Sequence, residues 1–166
     1  MRREKFSEMV KHFAERRLPA LQGRHIYLWE GELGSLQALV PLSVRETLDL
    51  HELAAAVPRA PRAEDEARRL LRGAILSRLD DECTTEQQRI VLVTGCDLLS
   101  RYRVPVAPFL EVVSERFMVV FAVAPRETNF APVGPLPSYV HMTPAAPRDY
   151  MRAQVAGTGS VVAEEN

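Results

Sequence analysis

Two segments made only of apolar residues most constrain how this chain can fold. Residues 90–93 read Ile-Val-Leu-Val, and residues 117–123 read Phe-Met-Val-Val-Phe-Ala-Val. Both are short and rich in β-branched or aromatic side chains, which is typical of strands covered on both faces. A helix predicted between them, over residues 107–115, would make a βαβ unit, whose right-handed crossover implies parallel pairing. The sequence therefore predicts an α/β fold with residues 90–93 in a central strand.

The remaining apolar patterns supply the other elements of this fold. Further strands are predicted over residues 24–29, 44–50 and 138–142, the second of them near a sheet edge because it is more polar. Helices are predicted over residues 3–21, 51–57, 63–79 and 148–154. This order predicts a three-layer sandwich on a mostly parallel sheet of about five strands. We expect one domain over residues 1–155 and a flexible tail over residues 156–166.

Charge and composition narrow the classes of function. A net charge of −1 argues against a wholly basic nucleic-acid-binding domain. No apolar run approaches the roughly 18 residues of a membrane span, and no apolar segment follows the basic start as it would in a secretory signal. We therefore expect a cytoplasmic protein. Cys83, Cys96 and the four histidines lack the spacing of metal ligands, so no metal site is predicted.

A predicted strand, a glycine turn and a short helix follow one another over residues 24–40. Gly31 and Gly34 lie in the turn, and Ser35 is predicted to cap the helix. This is the layout of a phosphate-binding loop, in which backbone N–H groups and the helix N-terminus hold an anion. An ordinary turn that uses glycine for its positive φ angles explains the same residues and is the favoured interpretation.

The positions that carry chemistry in the pattern G-x-x-x-x-G-K-[ST] are not matched. With Gly34 as the second glycine, Ser35 stands at the lysine position and Leu36 at the magnesium-binding hydroxyl. Glu30 and Glu32 add negative charge where a triphosphate would lie, and like charges at short range repel strongly in a partly dry site. The sequence therefore predicts a turn that is poorly equipped for ATP hydrolysis.

Asp97 follows the strand at residues 90–93, at the end where open α/β sheets bind ligands. We predict that it anchors a loop or an interface, with a catalytic role as the alternative, and we assign no catalytic residue. Arg101 and Arg103 come next and are candidates to contact phosphate or DNA. His51 directly follows the second predicted strand, where a structural or exposed histidine is favoured over a base in a cleft.

The element order resembles a compact P-loop NTPase core. Residues 24–35 stand where a Walker A segment would be, and residues 90–97 stand where a Walker B segment would be. Chain length and spacing resemble the BrxF family, small P-loop proteins of BREX bacterial phage-defence systems, over about residues 5–150. Thr94 occupies the place of the family's magnesium-directing aspartate, and Asp97 that of a following acidic residue.

The resemblance implies a degenerate, non-catalytic P-loop-like accessory or scaffold protein without a bound cofactor. It would act by protein–protein contacts in a BREX-like defence complex or another DNA-transaction complex. The expected partners are a larger ATPase, another subunit of such a complex or further copies of the chain. Contact with DNA would be weak or indirect, and no membrane partner is expected.

Two other functions remain open at this stage. One is a nucleotide-binding ATPase with an atypical loop, in which Gly31, Gly34 and Ser35 surround phosphate and Asp97 positions a metal-bound water. In that case ATP would be the cofactor, and Arg101 or Arg103 would contact its phosphates. The other is DNA binding through residues 101–103, whose affinity would fall steeply with salt.

Overall fold

The computed structural model describes residues 1–15, 25–57, 61–83, 86–111, 116–124 and 146–163. Seven helices lie in these ranges: α1 (Arg3–Ala14), α2 (Leu33–Leu39), α3 (Leu50–Ala55), α4 (Glu64–Cys83), α5 (Asp97–Tyr102), α6 (Ala107–Leu110) and α7 (Pro147–Val155). Five strands lie there as well: β1 (Ile26–Glu30), β2 (Arg45–Asp49), β3 (Arg89–Thr94), β4 (Phe117–Val123) and β5 (Ser160–Ala163).

The five strands form one all-parallel sheet in the order β2-β3-β4-β1-β5. The predicted α/β class with a mostly parallel sheet is therefore confirmed, as is the parallel pairing of β3 with β4. The polar strand β2 lies at an edge, as its composition predicted. β3 has a neighbour on each side, but β4 is the middle strand of the sheet.

Helices cover both faces of the sheet and complete three layers. Tyr27 and Trp29 of β1 pack with α1 and α2 on one face. Ile26 and Leu28 of the same strand point to the other face, which α3 to α7 cover. Because each strand of the interior meets helices on both sides, β3 and β4 need apolar residues at consecutive positions, and this explains their unbroken apolar runs.

The predicted flexible tail at residues 156–166 is wrong for the part that forms β5. This strand pairs in parallel with β1, and Val162 is fully buried. Its other side is also occupied, because the Met1 ammonium group donates to the Val161 carbonyl at 2.6 Å and Arg2 forms a bridge with Ala163. The strand predicted over residues 138–142 lies outside the described residues.

Several helix boundaries differ from the sequence predictions. α1 ends at Ala14 rather than at residue 21, and α6 ends at Leu110 rather than at residue 115. Ser35 does not cap α2, because the helix begins earlier and Glu32 is its N-cap residue. α4 continues to Cys83, beyond the predicted end at residue 79. Among the helices in the described part of the chain, none combines the length and the apolar character that crossing a membrane requires.

Candidate functional site

The carboxyl ends of the parallel strands form the edge at which this fold would place a ligand. β1 and β4 are neighbours there, and the helices that follow them pack on opposite faces, α2 beside α1 and α7 on the other side. Such a topological switch point leaves a crevice, and ligands of open α/β sheets bind in it. The described residues next to this point are Glu30 at the end of β1, residues 31 and 32 after it, and Ala124 after β4.

Glu30 ends β1 and points to the α7 side, where its side chain is only 2% exposed. Arg152 bonds both carboxylate oxygens, through Nε to Oε1 and through Nη2 to Oε2 at 2.6 Å. Arg148 Nη2 donates to Oε2 at 3.1 Å. Burial raises the pKa of Glu30, but the hydrogen bonds and charges of Arg152 and Arg148 outweigh it and hold the pKa below its ordinary value. The three charged groups tie α7 to β1.

Trp29 and Arg3 occupy the opposite side of the same strand end. The guanidinium carbon of Arg3 lies 4.2 Å from the centre of the Trp29 ring, a cation–π contact. The indole N–H of Trp29 donates to the Glu32 carbonyl at 3.3 Å. A Cβ atom on Gly31 would overlap the Arg3 guanidinium and come 2.9 Å from the indole nitrogen, so close packing explains this glycine.

Two backbone N–H groups of the turn are bonded within the chain. The N–H of Gly31 donates to the Val123 carbonyl at 3.2 Å, and that of Ser35 donates to the Glu32 carbonyl at 3.1 Å. Gly34 and Ser35 lie in the exposed first turn of α2, and no atom lies within 4 Å of where a Cβ on Gly34 would be. Two of the N–H groups that a phosphate loop would present are therefore already engaged.

An open groove of about 490 Å³ adjoins this turn between α1 and α2. Ser35 and Trp29 line it on one side, and Arg3, Glu4 and Glu8 of α1 line it on the other. Two carboxylates in the wall disfavour a highly charged anion such as a triphosphate. The groove therefore does not supply the positive lining that the turn lacks.

Asp97 begins α5, and the structure pairs it with His51. The Oδ1 atom of Asp97 lies 2.7 Å from Nε2 of His51, with the two side chains 18% and 56% exposed. Gly95 has a φ of 73°, and a Cβ there would lie 2.8 Å from Cδ2 of His51. Asp49 accepts the backbone N–H of His51 at 2.8 Å. The imidazole is thus fixed by the carboxylate, the glycine turn and its own backbone.

A histidine bonded to a carboxylate can act as a general base, but here it lacks a reacting neighbour among the described residues. Cys96 precedes Asp97 in the sequence and could be a nucleophile, but its side chain is buried. Its thiol lies 3.7 Å from the Val93 carbonyl. The described part of the chain contains no group of three or more His, Cys, Asp or Glu arranged to hold a metal ion.

Asp97 and the Gly31 turn follow strands that are not neighbours. Because β4 lies between β3 and β1, Asp97 stands two strand spacings, roughly 10 Å, from the turn.

Arg101 and Arg103 lie on the α7 side of the sheet, whereas Gly34 and Ser35 belong to α2 on the other side. Arg101 is half-buried within α5, and Arg103 is the exposed residue that ends it. Arg103 lines a pocket with Arg68 of α4 and Tyr150 of α7. Burial raises the pKa of Tyr150, and the charges of Arg68 and Arg103 act in the opposite direction.

The sequence predictions missed the arginines that hold Glu30. Arg148 and Arg152 have the i, i+4 spacing that puts two side chains on one helix face, which was the available signal. It did not identify their partner, which lies 118 and 122 positions away in the sequence. Comparison with protein-family models, with curated proteins and with solved structures gives no match to this chain.

Proposed function

We propose that this chain is a non-catalytic, degenerate P-loop-like accessory protein that acts by binding other proteins in the bacterial cytoplasm. The complex it serves is a BREX-like anti-phage defence complex or a related DNA-transaction complex. The layout supports the P-loop-like part of this proposal. β1 leads through the Gly31 turn into α2, and β3 leads to Asp97 at the same edge of the sheet.

The internal bonding of the β1 turn is the observation that carries the non-catalytic part. An incoming phosphate would compete with the Val123 carbonyl for the Gly31 N–H and with the Glu32 carbonyl for the Ser35 N–H. Val123 is buried, and a buried carbonyl that loses its partner costs about 1–3 kcal/mol, whereas the Glu32 carbonyl would keep the indole N–H of Trp29. The guanidinium groups of Arg148 and Arg152 on the α7 side of this strand end are already engaged by the buried carboxylate of Glu30.

The residues that would hold Mg²⁺ and contact the phosphates in a phosphoryl-transfer site also differ from the P-loop pattern. Such sites position Mg²⁺ with an acidic side chain and meet the phosphates with a lysine. This chain has Thr94 directly after the buried part of β3 and Ser35 at the lysine position. Asp97, the nearby acid, is engaged by His51. These substitutions support a scaffold role over ATP turnover.

A groove between α3 and α4 supports the protein-binding part of the proposal. It has a volume of about 400 Å³, and its apolar lining comes from Leu53, Val57, Leu70 and Ala74. Arg78 and Asp81 at its border supply charges of both signs. An apolar centre with a polar rim is the usual make-up of a protein interface.

Nucleotide binding tests the non-catalytic part. The full chain is titrated with fluorescent ATP with and without Mg²⁺, and phosphate release is measured in parallel. We expect no magnesium-dependent binding at the β1 turn and no turnover. Micromolar binding together with turnover that Asp97→Ala abolishes would show an active ATPase with an atypical loop, and the proposal would be wrong.

Partner capture from the host, followed by phage plating, tests the protein-binding part. Ser77 is exposed and lines the groove, so Ser77→Arg should block a partner there without disturbing the core. Ala38→Arg is the matched control, because it adds the same side chain to an exposed helical position on α2, on the other side of the sheet and outside the groove. We expect Ser77→Arg alone to release a defence subunit and weaken phage resistance. Equal behaviour of the two variants would contradict the use of this groove.

A further inference from the structure

A pocket of about 620 Å³ lies where α4, α5 and α7 meet, apart from the β1 turn. The residues that line it are Arg68, Ser100, Arg103, Pro105, Tyr150 and Gln154. Two of these carry guanidinium groups, and none of the six carries a carboxylate. We propose that this pocket binds the phosphate group of a small molecule, with Arg103 as the charged contact and the Gln154 amide as a second donor. The volume is within the usual range for small-molecule sites.

The backbone of Arg103 is the first observation behind this proposal. Its φ and ψ are 52° and 44°, the left-handed conformation, and no other described non-glycine residue has a positive φ. The N–H of Arg103 donates to the Ser100 carbonyl at 3.3 Å, and the N–H of Val104 donates to the Leu99 carbonyl at 2.9 Å. This is the Schellman ending of a helix, whose left-handed position is normally glycine.

A residue with a side chain at that position destabilises the fold relative to glycine. Strained residues that persist are concentrated at ligand sites, because the function needs that side chain there. Here the strain places a guanidinium group at the pocket. No described residue forms an ion pair or a side-chain hydrogen bond with this guanidinium group.

Gln154 supplies a second, oriented donor. Its Oε1 atom accepts the N–H of Val106 at 3.2 Å, which fixes the amide and leaves its NH₂ group as the free end. Tyr150 is fixed in the same way, because its hydroxyl donates to the Val104 carbonyl at 2.7 Å. The pocket therefore has preorganised walls, and a ligand would not have to order them.

Arg68 holds the pocket together and contributes less net charge. Its Nε donates to the Tyr102 carbonyl at 3.0 Å and so joins α4 to the end of α5. Its other nitrogens pair with Glu64 at 2.7 Å and Asp65 at 2.8 Å. Arg103 is consequently the main source of positive potential, and a tetrahedral oxyanion that accepts several hydrogen bonds, such as phosphate, fits these donors.

Nuclear magnetic resonance of the full ¹⁵N-labelled chain tests this inference, with inorganic phosphate, AMP and single-stranded oligothymidylate as separate probes. We expect phosphate or AMP to give saturable shifts of the Arg103 and Val104 amides and of the Gln154 side-chain amide. Shifts confined to residues 31–35 would instead place the phosphate at the β1 turn. That result would overturn the inference, and it would also contradict the proposed function, which the first result leaves intact.

Two variants separate binding from folding. Arg103→Gly should lower phosphate affinity about tenfold or more, while its melting temperature stays at or above that of the wild type because glycine relieves the left-handed backbone. Gln154→Glu keeps the acceptor for the Val106 N–H but replaces the donor with a negative charge, so it should also lose binding.

Arg69→Gln is the control, since it removes one positive charge from an exposed site on α4 outside the pocket. We expect it to bind as the wild type does. Unchanged binding in Arg103→Gly, or no saturable shift below about 10 mM of phosphate and AMP, overturns the inference. Salt-sensitive binding of oligothymidylate alone would also overturn it, in favour of a nucleic-acid surface.

Discussion

Replacing Glu30 with glutamine should destabilise the protein because it removes a buried charge and leaves two arginines that were paired with it. The carboxylate receives hydrogen bonds from Arg152 and Arg148 and is 2% exposed. Glutamine has nearly the same shape, so the change tests charge and hydrogen bonding and leaves packing almost unaltered. Its amide oxygen can keep one of the bonds, while its NH₂ group meets a guanidinium that has only donors.

The magnitude follows from how well water can reach the two arginines. Removing one partner of a fully buried ion pair costs about 3–5 kcal/mol. Arg148 and Arg152 are 33% and 46% exposed, so water can solvate them when Glu30 is changed. We therefore expect a loss of about 2–3 kcal/mol in the free energy of unfolding. For a chain of this size this corresponds to a melting temperature lower by roughly 4–12 °C.

The pH dependence of stability gives a second measurement of the same carboxylate. The pKa of Glu30 lies below its ordinary value of 4.5 in the folded protein, so the unfolded chain binds a proton at higher pH than the folded chain does. The stabilisation is therefore fully present above that value and is lost as the pH falls through the folded pKa. Glu30→Gln should lack this loss, so the two stability curves should converge on acidification below about pH 4.5.

Urea denaturation of the wild type and Glu30→Gln, repeated from neutral to acidic pH, measures both quantities. Glu32→Gln is the control, because Glu32 is exposed and stands two residues further along the chain. We expect the control to change the free energy of unfolding by less than about 0.5 kcal/mol. A loss below about 0.5 kcal/mol in Glu30→Gln, or curves that stay parallel at acidic pH, would refute the reasoning.

Three further substitutions test other parts of the structure by urea denaturation. Gly95→Ala should lower the free energy of unfolding by about 1–3 kcal/mol, because φ is 73° and the new methyl group would press on the His51 ring; a neutral result would contradict this geometry. Asp97→Asn should lower it by less than about 1 kcal/mol, since the pair with His51 is partly exposed, and a loss above 2 kcal/mol would be inconsistent with that. Val162→Asp should lower it by about 3 kcal/mol or more if β5 is part of the sheet, whereas a flexible tail would tolerate the change.

The sequence predicted the interior strands well because their physical signal is local. A strand buried on both faces needs consecutive apolar residues, so β3 and β4 could be recognised without knowledge of any neighbour. β5 was missed because it has four residues and follows a segment with two glycines, which indicates flexibility. What makes it a strand is its pairing with β1, a contact far away in the sequence.

The difference between local signals and contacts that are distant in the sequence also decides how much of the site could be predicted. Glycine turns, Asp97 and the basic residues after it are visible as residue types at strand ends. Their partners depend on topology: His51 meets Asp97 because β2 lies beside β3, and α7 meets Glu30 because it packs along β1. Glu30 shows the difference best: its sequence position predicts a charge that repels phosphate, whereas in the structure it is an acid buried between two arginines.

The acidic residues at the carboxyl edge of the sheet are paired with basic residues, and this pairing affects where a charged ligand can bind. Glu30 is paired with Arg148 and Arg152, and Asp97 is bonded to His51, so these acids neither attract a cation strongly nor leave the arginines beside Glu30 free for an anion. We therefore expect the carboxyl edge of the sheet to attract an anion only weakly, although open α/β sheets usually bind ligands there. Arg103 lies away from that edge, at the end of α5, without a paired acid among the described residues. The distribution of charge therefore leads us to expect phosphate at the surface between α4, α5 and α7, in the Arg103 pocket, rather than at the strand ends.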